Sequence, residues 1–550
     1  MITFTGKGVC GGVAVGRVSL FRRNTVRTEK TEVDDTEGEK KRFEGAKAAA
    51  AEQLERVYQK ALAETGEENA QIFEIHKMML EDEDFNGAVT DLIDCHRVNA
   101  EYAVLAAAER FSAMFSAMDD SYMQARAADV RDISNRLLEC LSQKGEEGEE
   151  QKDEKIILCA DDLSPSETVS LDQSRVLAFV TAKGSGNSHT AILARSMNIP
   201  AVIGVGEEFL SRIQEGDLCI ADGDKGQVVI HPDRETLTSA EDRQKTDLVQ
   251  KQLLQSLKGK ENITLDGTRV EIYANIGSAD EADAALSNDA GGIGLFRSEF
   301  LYLEGQDYPT EEQQFQAYRK VARKMAGKKV VIRTLDIGAD KQADYFGLER
   351  EENPAMGFRA IRICLARPEI FKTQLRALYR ASAFGEIAIM FPMITSVSEV
   401  EEILALCREV RQELDAGGIA YASKVELGIM IETPAAALIS DRLAPLVDFF
   451  SVGTNDLIQY TLACDRQNPA LERFCDLHHE AVFRLIGLAA ENAHKEGAWI
   501  GICGELAADT TLTETFLRMG IDELSVSPPS VLKVREAVRN LHLGQREEGL

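Results

Sequence analysis

The sequence predicts a multidomain chain: a small α/β domain interrupted by an inserted α-helical bundle, followed by a C-terminal (β/α)8 TIM barrel. Three observations predict it. The 550 residues exceed what one ordinary core fills. All 12 prolines fall at Pro165 or later, and the proline-free part holds a long block of helix formers between strand-like segments. The last 280 or so residues repeat one unit eight times, a short apolar strand followed by a helical segment.

The elements follow in order. Gly and β-branched residues crowd the opening stretch up to Phe21, as in GKGVCGGVAVGRVSL, which reads as short strands. From about Thr31 to Ser142, Ala, Glu, Lys, Leu and Arg recur at helical spacing, as in EGAKAAAAEQLERVYQKALAE and NAEYAVLAAAERFSAMFSAM. The acidic run KGEEGEEQKDEK (144–155) reads as a solvated loop. Strands resume with KIILCA, RVLAFVT, PAVIGV, DLCIADG and QVVIHP. Residues 1–21 and 150–231 are therefore expected to form one α/β domain, with 22–149 inserted as a helical domain and 232–260 as a helical linker. Residues 261–550 are expected to form the barrel, with strands in VEIYANIG, GIGLFRSEF, VVIRTLDIG, IAIMFPMI, ELGIMIETP, FFSVGTNDL, WIGICGE and ELSVSP. The alternative is an open doubly wound sheet. The absence of a Gly-rich dinucleotide turn after the first strand counts against it.

Composition narrows the partners. There are 92 acidic against 62 basic residues, a formal charge of -30, which argues against nucleic acid or an anionic membrane surface as the main partner. An anionic substrate would need a local basic cluster. No run of about 18 apolar residues is present to span a membrane, and MITFTGKGVCGG lacks the basic and apolar regions of a signal peptide. The ten cysteines are scattered singly with no CxxC pair, the usage of reduced thiols in the cytoplasm.

A barrel of this kind builds its site where strands end. Arg297 ends the second strand, Arg333 lies within the third, Glu432 ends the fifth, and Asn455 and Asp456 end the sixth. Arg466 follows the sixth strand, and Cys503 ends the seventh. Converging guanidiniums suit a small dianion or trianion. Two carboxylates, Glu432 and Asp456, are the usual number for Mg²⁺. A lone Arg there would read as a surface salt bridge and a lone Cys as a buried thiol. Polar groups recurring at the same end of several strands read as a site. Cys503, between Gly501 and Gly504, has the chemistry to protonate an enolate.

A second centre is GSGNSHTAILARSMNIP (184–200), where small residues lead into His189 and a helix follows until Pro200. The N–H groups and positive dipole end of that helix start would stabilise a phosphate on the imidazole. The other seven histidines read as structural or are left open.

The His189 segment resembles the phosphohistidine segment of the phosphoenolpyruvate-utilising enzymes. GLFRSEFL, IRTLDIGADK, IMIETPAA, SVGTNDLIQYTLACDR and GICGELAAD resemble their phosphoenolpyruvate-binding barrel. With IFEIHKMMLEDEDF and ARAADVRDISNRLL in the inserted helices, the chain from about residue 3 to residue 540 resembles the enzyme I family of the bacterial phosphoenolpyruvate–sugar phosphotransferase system. The resemblance implies phosphoenolpyruvate in the barrel mouth, with Arg297, Arg333, Asn455, Asp456 and Arg466 around it and Mg²⁺ on Glu432 and Asp456. It implies that His189 attacks the phosphorus through Nε2 and that Cys503 protonates the enolate to pyruvate. Onward transfer goes to a histidine of the small carrier protein HPr, docked on the inserted helices, as the first step of sugar uptake. A homodimer through the barrel, and a swing of the His189 domain through the linker, are implied as well. Thr168, in SPSET, is implied as a hydrogen-bond partner of His189, and Arg359 as a further phosphate contact.

The family's Gly-Gly-X-Thr-Ser-His reads Gly184-Ser185-Gly186-Asn187-Ser188-His189 here, so activity at an altered rate is expected. RFCDLHHEAV (473–482) departs from the family's apolar-Pro pattern. Two rivals remain. A nucleotide-dependent dikinase or synthase would need a large nucleotide-binding domain where the helical bundle stands. A phosphoacceptor scaffold without turnover would not need the set of Arg297, Arg333, Glu432, Asp456 and Cys503.

Overall fold

The computed structural model describes residues 1–21, 29–65, 67–116, 121–142, 155–163, 167–168, 171–172, 175–184, 188–197, 199–303, 305, 307–338, 344–349, 351–465 and 468–544. All of the acidic run except Lys155 lies outside them, as do Ser185, Gly186, Asn187 and Arg466. The chain forms two compact units, Met1–Lys251 and Gln252–Leu550.

In the first unit, one sheet is built from β1 (Ile2–Thr5), β2 (Lys7–Cys10), β3 (Val13–Leu20), β4 (Ile156–Ala160), β5 (Val176–Thr181), β6 (Ala201–Ile203), β7 (Leu218–Asp222) and β8 (Gln227–Ile230). Their order is β1-β8-β7-β3-β4-β5-β6-β2. β3 lies between β7, which runs antiparallel to it, and β4, which runs parallel. Both ends of the unit's sequence therefore contribute to one ladder. Parallel neighbours cannot be joined by a tight turn and need a long crossover. Between β3 and β4 that crossover carries the helices Thr36–Thr65, Glu67–Leu80, Glu83–His96, Ala100–Ser116 and Ser121–Ser142. Asp82 starts the third of these by accepting the Phe85 N–H at 2.8 Å.

These helices bury their own apolar stripe, including Phe43, Phe73, Val89, Val104 and Leu137. The sheet packs a separate core around Ile157, Val180, Val202 and Ile230. His76 is buried in the helical block, with Nε2 3.3 Å from Asp129. A helix, Arg234–Gln255, follows β8.

The second unit is a closed parallel barrel of β9 (Glu271–Ile276), β10 (Ile293–Arg297), β11 (Val330–Arg333), β12 (Ile387–Phe391), β13 (Glu426–Ile431), β14 (Phe449–Val452), β15 (Trp499–Ile502) and β16 (Glu523–Val526). β16 closes on β9 by pairing Glu523–Val526 with Glu271–Ala274. The expected eight strands are present, each shorter than its apolar segment. Arg333 closes β11 instead of lying inside it, because the Leu335 N–H turns away to Gln374 Oε1 at 3.0 Å.

Alternation along each strand sends Leu295, Val331, Met390, Met430, Phe449 and Cys503 into the lumen. Ile272, Ile293, Ile389, Ile429 and Phe450 go outward to the helices. Reciprocal capping boxes, Thr310 with Gln313 and Ser396 with Glu399, start two of those helices.

The lumen floor gives a test of this packing. The rings of Phe449 and Trp499, the sole tryptophan, stack at 4.4 Å, and a Cβ on Gly428 would stand 2.5 Å from the Phe449 ring. Gly428→Ala should therefore lower stability by about 1–3 kcal/mol through overpacking and shift the tryptophan emission. An unchanged spectrum and urea midpoint would contradict the packing.

Candidate active site

Because parallel strands all end at one face, their C-terminal residues converge without any local sequence relation. Arg297 is the last residue of β10 and Arg333 the last of β11. Glu432 follows β13, Cys503 follows β15, and Asn455 and Asp456 stand in the first turn of the helix Thr454–Leu462 after β14. All six, with Arg359, line one cavity of about 1120 Å³.

Arg333 is buried, and its charge is matched on both sides. One guanidinium nitrogen lies 2.9 Å from Asp336 and the other donates to Glu299. Asp336 in turn holds Arg359 at 3.1 Å. Burial weakens the guanidinium's hold on its proton, but Asp336 and Glu299 outweigh it, so the charge is retained. The backbone beneath is fixed too. Ser298 Oγ donates to the Arg333 carbonyl at 2.6 Å, and Gln374 donates to Ser298 at 2.9 Å and to Tyr318 at 3.1 Å.

Glu432 is 1% exposed. Its Oε1 accepts the Met393 N–H at 2.5 Å, from a backbone held at φ 59°. A non-glycine residue in that left-handed region is strained, and here the strain aims a donor at the carboxylate. Glu432 Oε2 is buried with no hydrogen-bond partner. Burial, then Asp456 and Asp336, push the carboxyl up to about 8 despite Arg333.

Seven carboxylates and three guanidiniums line the cavity among the described residues, so an anionic substrate would be repelled unless a cation accompanied it. Glu432 Oε2 and Asp456 are hard oxygen donors suited to a divalent ion that keeps its other positions for water and substrate. Among the described residues, no group of three or more His, Cys, Asp or Glu side chains surrounds a metal position. The fit is to a metal completed by substrate, not to a closed protein cage.

Cys503 is buried, and its Sγ donates to the Val452 carbonyl at 3.6 Å. Burial pushes the thiol up to about 12, with Glu432 and Glu523 adding to the effect. It is a thiol at neutral pH, which makes it a proton donor and a poor nucleophile. Asn455 is oriented by exchange with Glu505: its Nδ2 donates to Oε1 at 3.1 Å and its Oδ1 accepts the Glu505 N–H at 3.3 Å.

Sequence reading missed Glu299, Asp336, Met393 and Glu505. Glu299 stands two residues after Arg297 and Asp336 three after Arg333. Nothing local says that either faces Arg333.

In the first unit, His189 is the first residue of the helix His189–Met197, and Ser188 Oγ accepts the Ala191 N–H at 3.4 Å. The His189 side chain, like Arg466, lies outside the described residues. Gly184, at φ 109°, occupies a conformation that favours glycine. Thr168 is buried.

Comparison with known proteins bears on these two centres. Residues 251–543 match the family of PEP-utilising enzymes, PEP-binding domain. Residues 152–226 match the mobile domain of PEP-utilising enzymes, and 5–126 their N-terminal domain. The phosphoenolpyruvate-protein phosphotransferase of Bacillus sp. (strain S) is 42% identical over 539 residues, covering 98% of this chain and 93% of that protein. The chain belongs to the phosphoenolpyruvate-protein phosphotransferases. The phosphotransferase of that name from Listeria monocytogenes is 42% identical, covering 97% of this chain and 94% of its own. The Bacillus subtilis phosphotransferase is 41% identical, covering 98% and 95%. The solved "NMR solution structure of Enzyme I (nEIt) protein" is 33% identical over 44% of this chain and 98% of its own, at a TM-score of 0.38.

For this phosphotransferase, Glu432 gives a pH test. Folded, it holds its proton to about pH 8; unfolded, it releases it near the ordinary 4.5. Its folded value is raised, so stability falls as pH rises from about 4.5 to 8. Glu432→Gln, which cannot ionise, should raise the stability of the metal-free protein at pH 9 by on the order of 2 kcal/mol, and the gain should vanish near pH 4. Equal urea midpoints at pH 9 would refute this environment for Glu432.

Proposed function

We propose that this chain takes the phosphoryl group of phosphoenolpyruvate onto His189 and releases pyruvate. It then passes the phosphoryl group to a histidine of the small carrier protein HPr, the first step of sugar uptake by the phosphotransferase system. The observation that carries the reading is one cavity, at the C-terminal ends of the barrel strands, lined by Arg297, Arg333, Glu432, Asp456 and Cys503 in a chain of this family.

Arg297, Arg333, Asn455 and Arg466 take the phosphate and carboxylate of the substrate, with Arg359 as a further contact. Glu432 and Asp456 would hold Mg²⁺, which when bound neutralises charge on the transferring phosphoryl group. Arg333 arrives already oriented by Glu299 and Asp336, so it need not reorganise as charge develops. His189 attacks the phosphorus through Nε2, and the helix start beside it stabilises the phosphorylated ring. Thr168 orients that ring. Cys503 gives its proton to the enolate carbon, a role supported by its raised pKa.

By the same reading, residues 1–21 and 150–231 form the phosphohistidine domain, and 22–149 form the carrier-binding domain. Residues 232–260 link to the barrel, which dimerises. A cytoplasmic setting fits the family. No helix among the described residues is long and apolar enough to cross a membrane.

Incubation of the full-length protein with Mg²⁺ and phosphoenolpyruvate should place an acid-labile phosphate on His189 and release pyruvate. ATP should place none. Labelling by ATP, or persistence of label in His189→Ala, would overturn the assignment. Cys503→Ala should slow pyruvate formation by about 10²–10⁴-fold, read by rapid quench.

A further inference from the structure

One tyrosine hydroxyl joins the segments that follow three of the barrel strands. Tyr460 stands four residues after Asp456 on the helix Thr454–Leu462, so both side chains leave one face of that helix, and both line the cavity. The Tyr460 hydroxyl donates to the Ala355 carbonyl, in the 3-10 turn Pro354–Met356 of the connection after β11. Met393 Sγ, in the connection after β12, lies 3.9 Å from the same oxygen as a second acceptor. It is the Met393 N–H that Glu432 Oε1 accepts. A ring beside Asp456 therefore reaches the backbone of one connection and the side chain of another. Burial pushes its phenol up to about 12, so it remains a donor at neutral pH.

The turn that Tyr460 grips carries Arg359. Residues 352–356 form a wall of the cavity, and Arg359 follows three residues on. Arg362, on the helix Ile361–Ala366, donates to the carbonyls of Met356 at 2.9 Å and Gly357 at 2.8 Å. Glu351 Oε1 accepts the Phe358 N–H at 2.8 Å. Ala360, directly after Arg359, stands at φ 51° with its N–H donating to the Ile337 carbonyl at 2.8 Å. That conformation is costly for a residue with a Cβ and persists only where its surroundings fix it. These ties make the turn and Arg359 one piece. Asp336 fixes the piece from the side of Arg333, and Tyr460 fixes it from the side of Asp456.

We propose that Tyr460 positions Arg359 for phosphoenolpyruvate, its hydroxyl setting the distance between the turn that carries Arg359 and the segments that carry Glu432 and Asp456. The inference rests on the reading of this cavity as the phosphoenolpyruvate site. Tyr460 acts through Arg359 and is a positioning residue. A phenylalanine would fill the same space, so the hydroxyl contributes the tie and little packing. With the tie broken, the turn and its guanidinium must be ordered by the substrate as it binds, and that ordering costs affinity. The groups proposed to meet the transferring phosphoryl group stay in place. The loss should therefore fall on KM and not on kcat.

Tyr460→Phe in the full-length protein removes the hydroxyl alone. With Mg²⁺ and a histidine phosphocarrier, its KM for phosphoenolpyruvate should rise about five- to tenfold, with kcat within about twofold of the parent. Binding without turnover, read by calorimetry with Mg²⁺ and phosphoenolpyruvate on His189→Ala, should weaken by the same factor when Tyr460→Phe is added. On an Arg359→Gln background, Tyr460→Phe should cost less than about twofold more, since the residue it positions is gone. A parent-like KM overturns the proposal. So does a fall in kcat at unchanged KM, which would mean a merely structural hydroxyl, and so does a fully additive loss on the Arg359→Gln background. Failure of His189→Ala to bind phosphoenolpyruvate at all would remove the reading of the site itself. Binding that Tyr460→Phe leaves unchanged would remove only the positioning role.

Discussion

Arg333 keeps its charge away from bulk water, and the barrel mouth is arranged around that fact. A buried guanidinium is tolerable only if its charge and its donors are met, and Glu299 and Asp336 meet them. Each partner comes from the chain leaving a strand, so the pairing ties the exit of β10 to the exit of β11. Asp336 then extends the tie to Arg359. The arginines that would face a phosphate are therefore rigid before any substrate arrives, and that rigidity suits a reaction driven by positioning and charge neutralisation.

The same low-dielectric mouth explains why its two proton carriers sit so far from ordinary values. Glu432 and Cys503 are both lifted chiefly by burial. For Glu432 the result is a carboxyl that keeps its proton until a cation displaces it, with one oxygen otherwise unmet. For Cys503 it is a thiol that stays protonated at neutral pH and would yield its proton only to a strong base. One environment thus assigns opposite tasks to two acids, because one has Asp456 and Asp336 nearby while the other points into the lumen.

Below the mouth the lumen is not uniformly apolar. Glycines at 294 and 501 leave room for the Glu523 side chain where most barrels of this type pack branched aliphatics. Burying Glu523, Ser451 and Ser525 costs stability unless their polar atoms serve some purpose, and two of those atoms remain unbonded in the resting chain. In the first unit the design differs. The helices between β3 and β4 bury their own core, so the insertion extends a crossover without disturbing the sheet.

Much of this was legible in the residue order. The eight apolar segments, the helical block from Thr36 to Ser142, and Arg297, Arg333, Glu432, Asp456 and Cys503 at strand ends all follow from short-range spacing, which is how local structure is encoded. The strand ends needed correction at Arg333, since a hydrogen bond to distant Gln374 stops β11 early. The placement of β3 between β7 and β4, the clamp of Glu299 and Asp336, the Met393 donor and the carboxyl of Glu523 over Gly501 were not legible. Spacing along the chain determined which elements form and which chemical groups they carry. Only the closed barrel decided which groups share a buried, poorly screened interior, and that sharing sets both pairing and protonation.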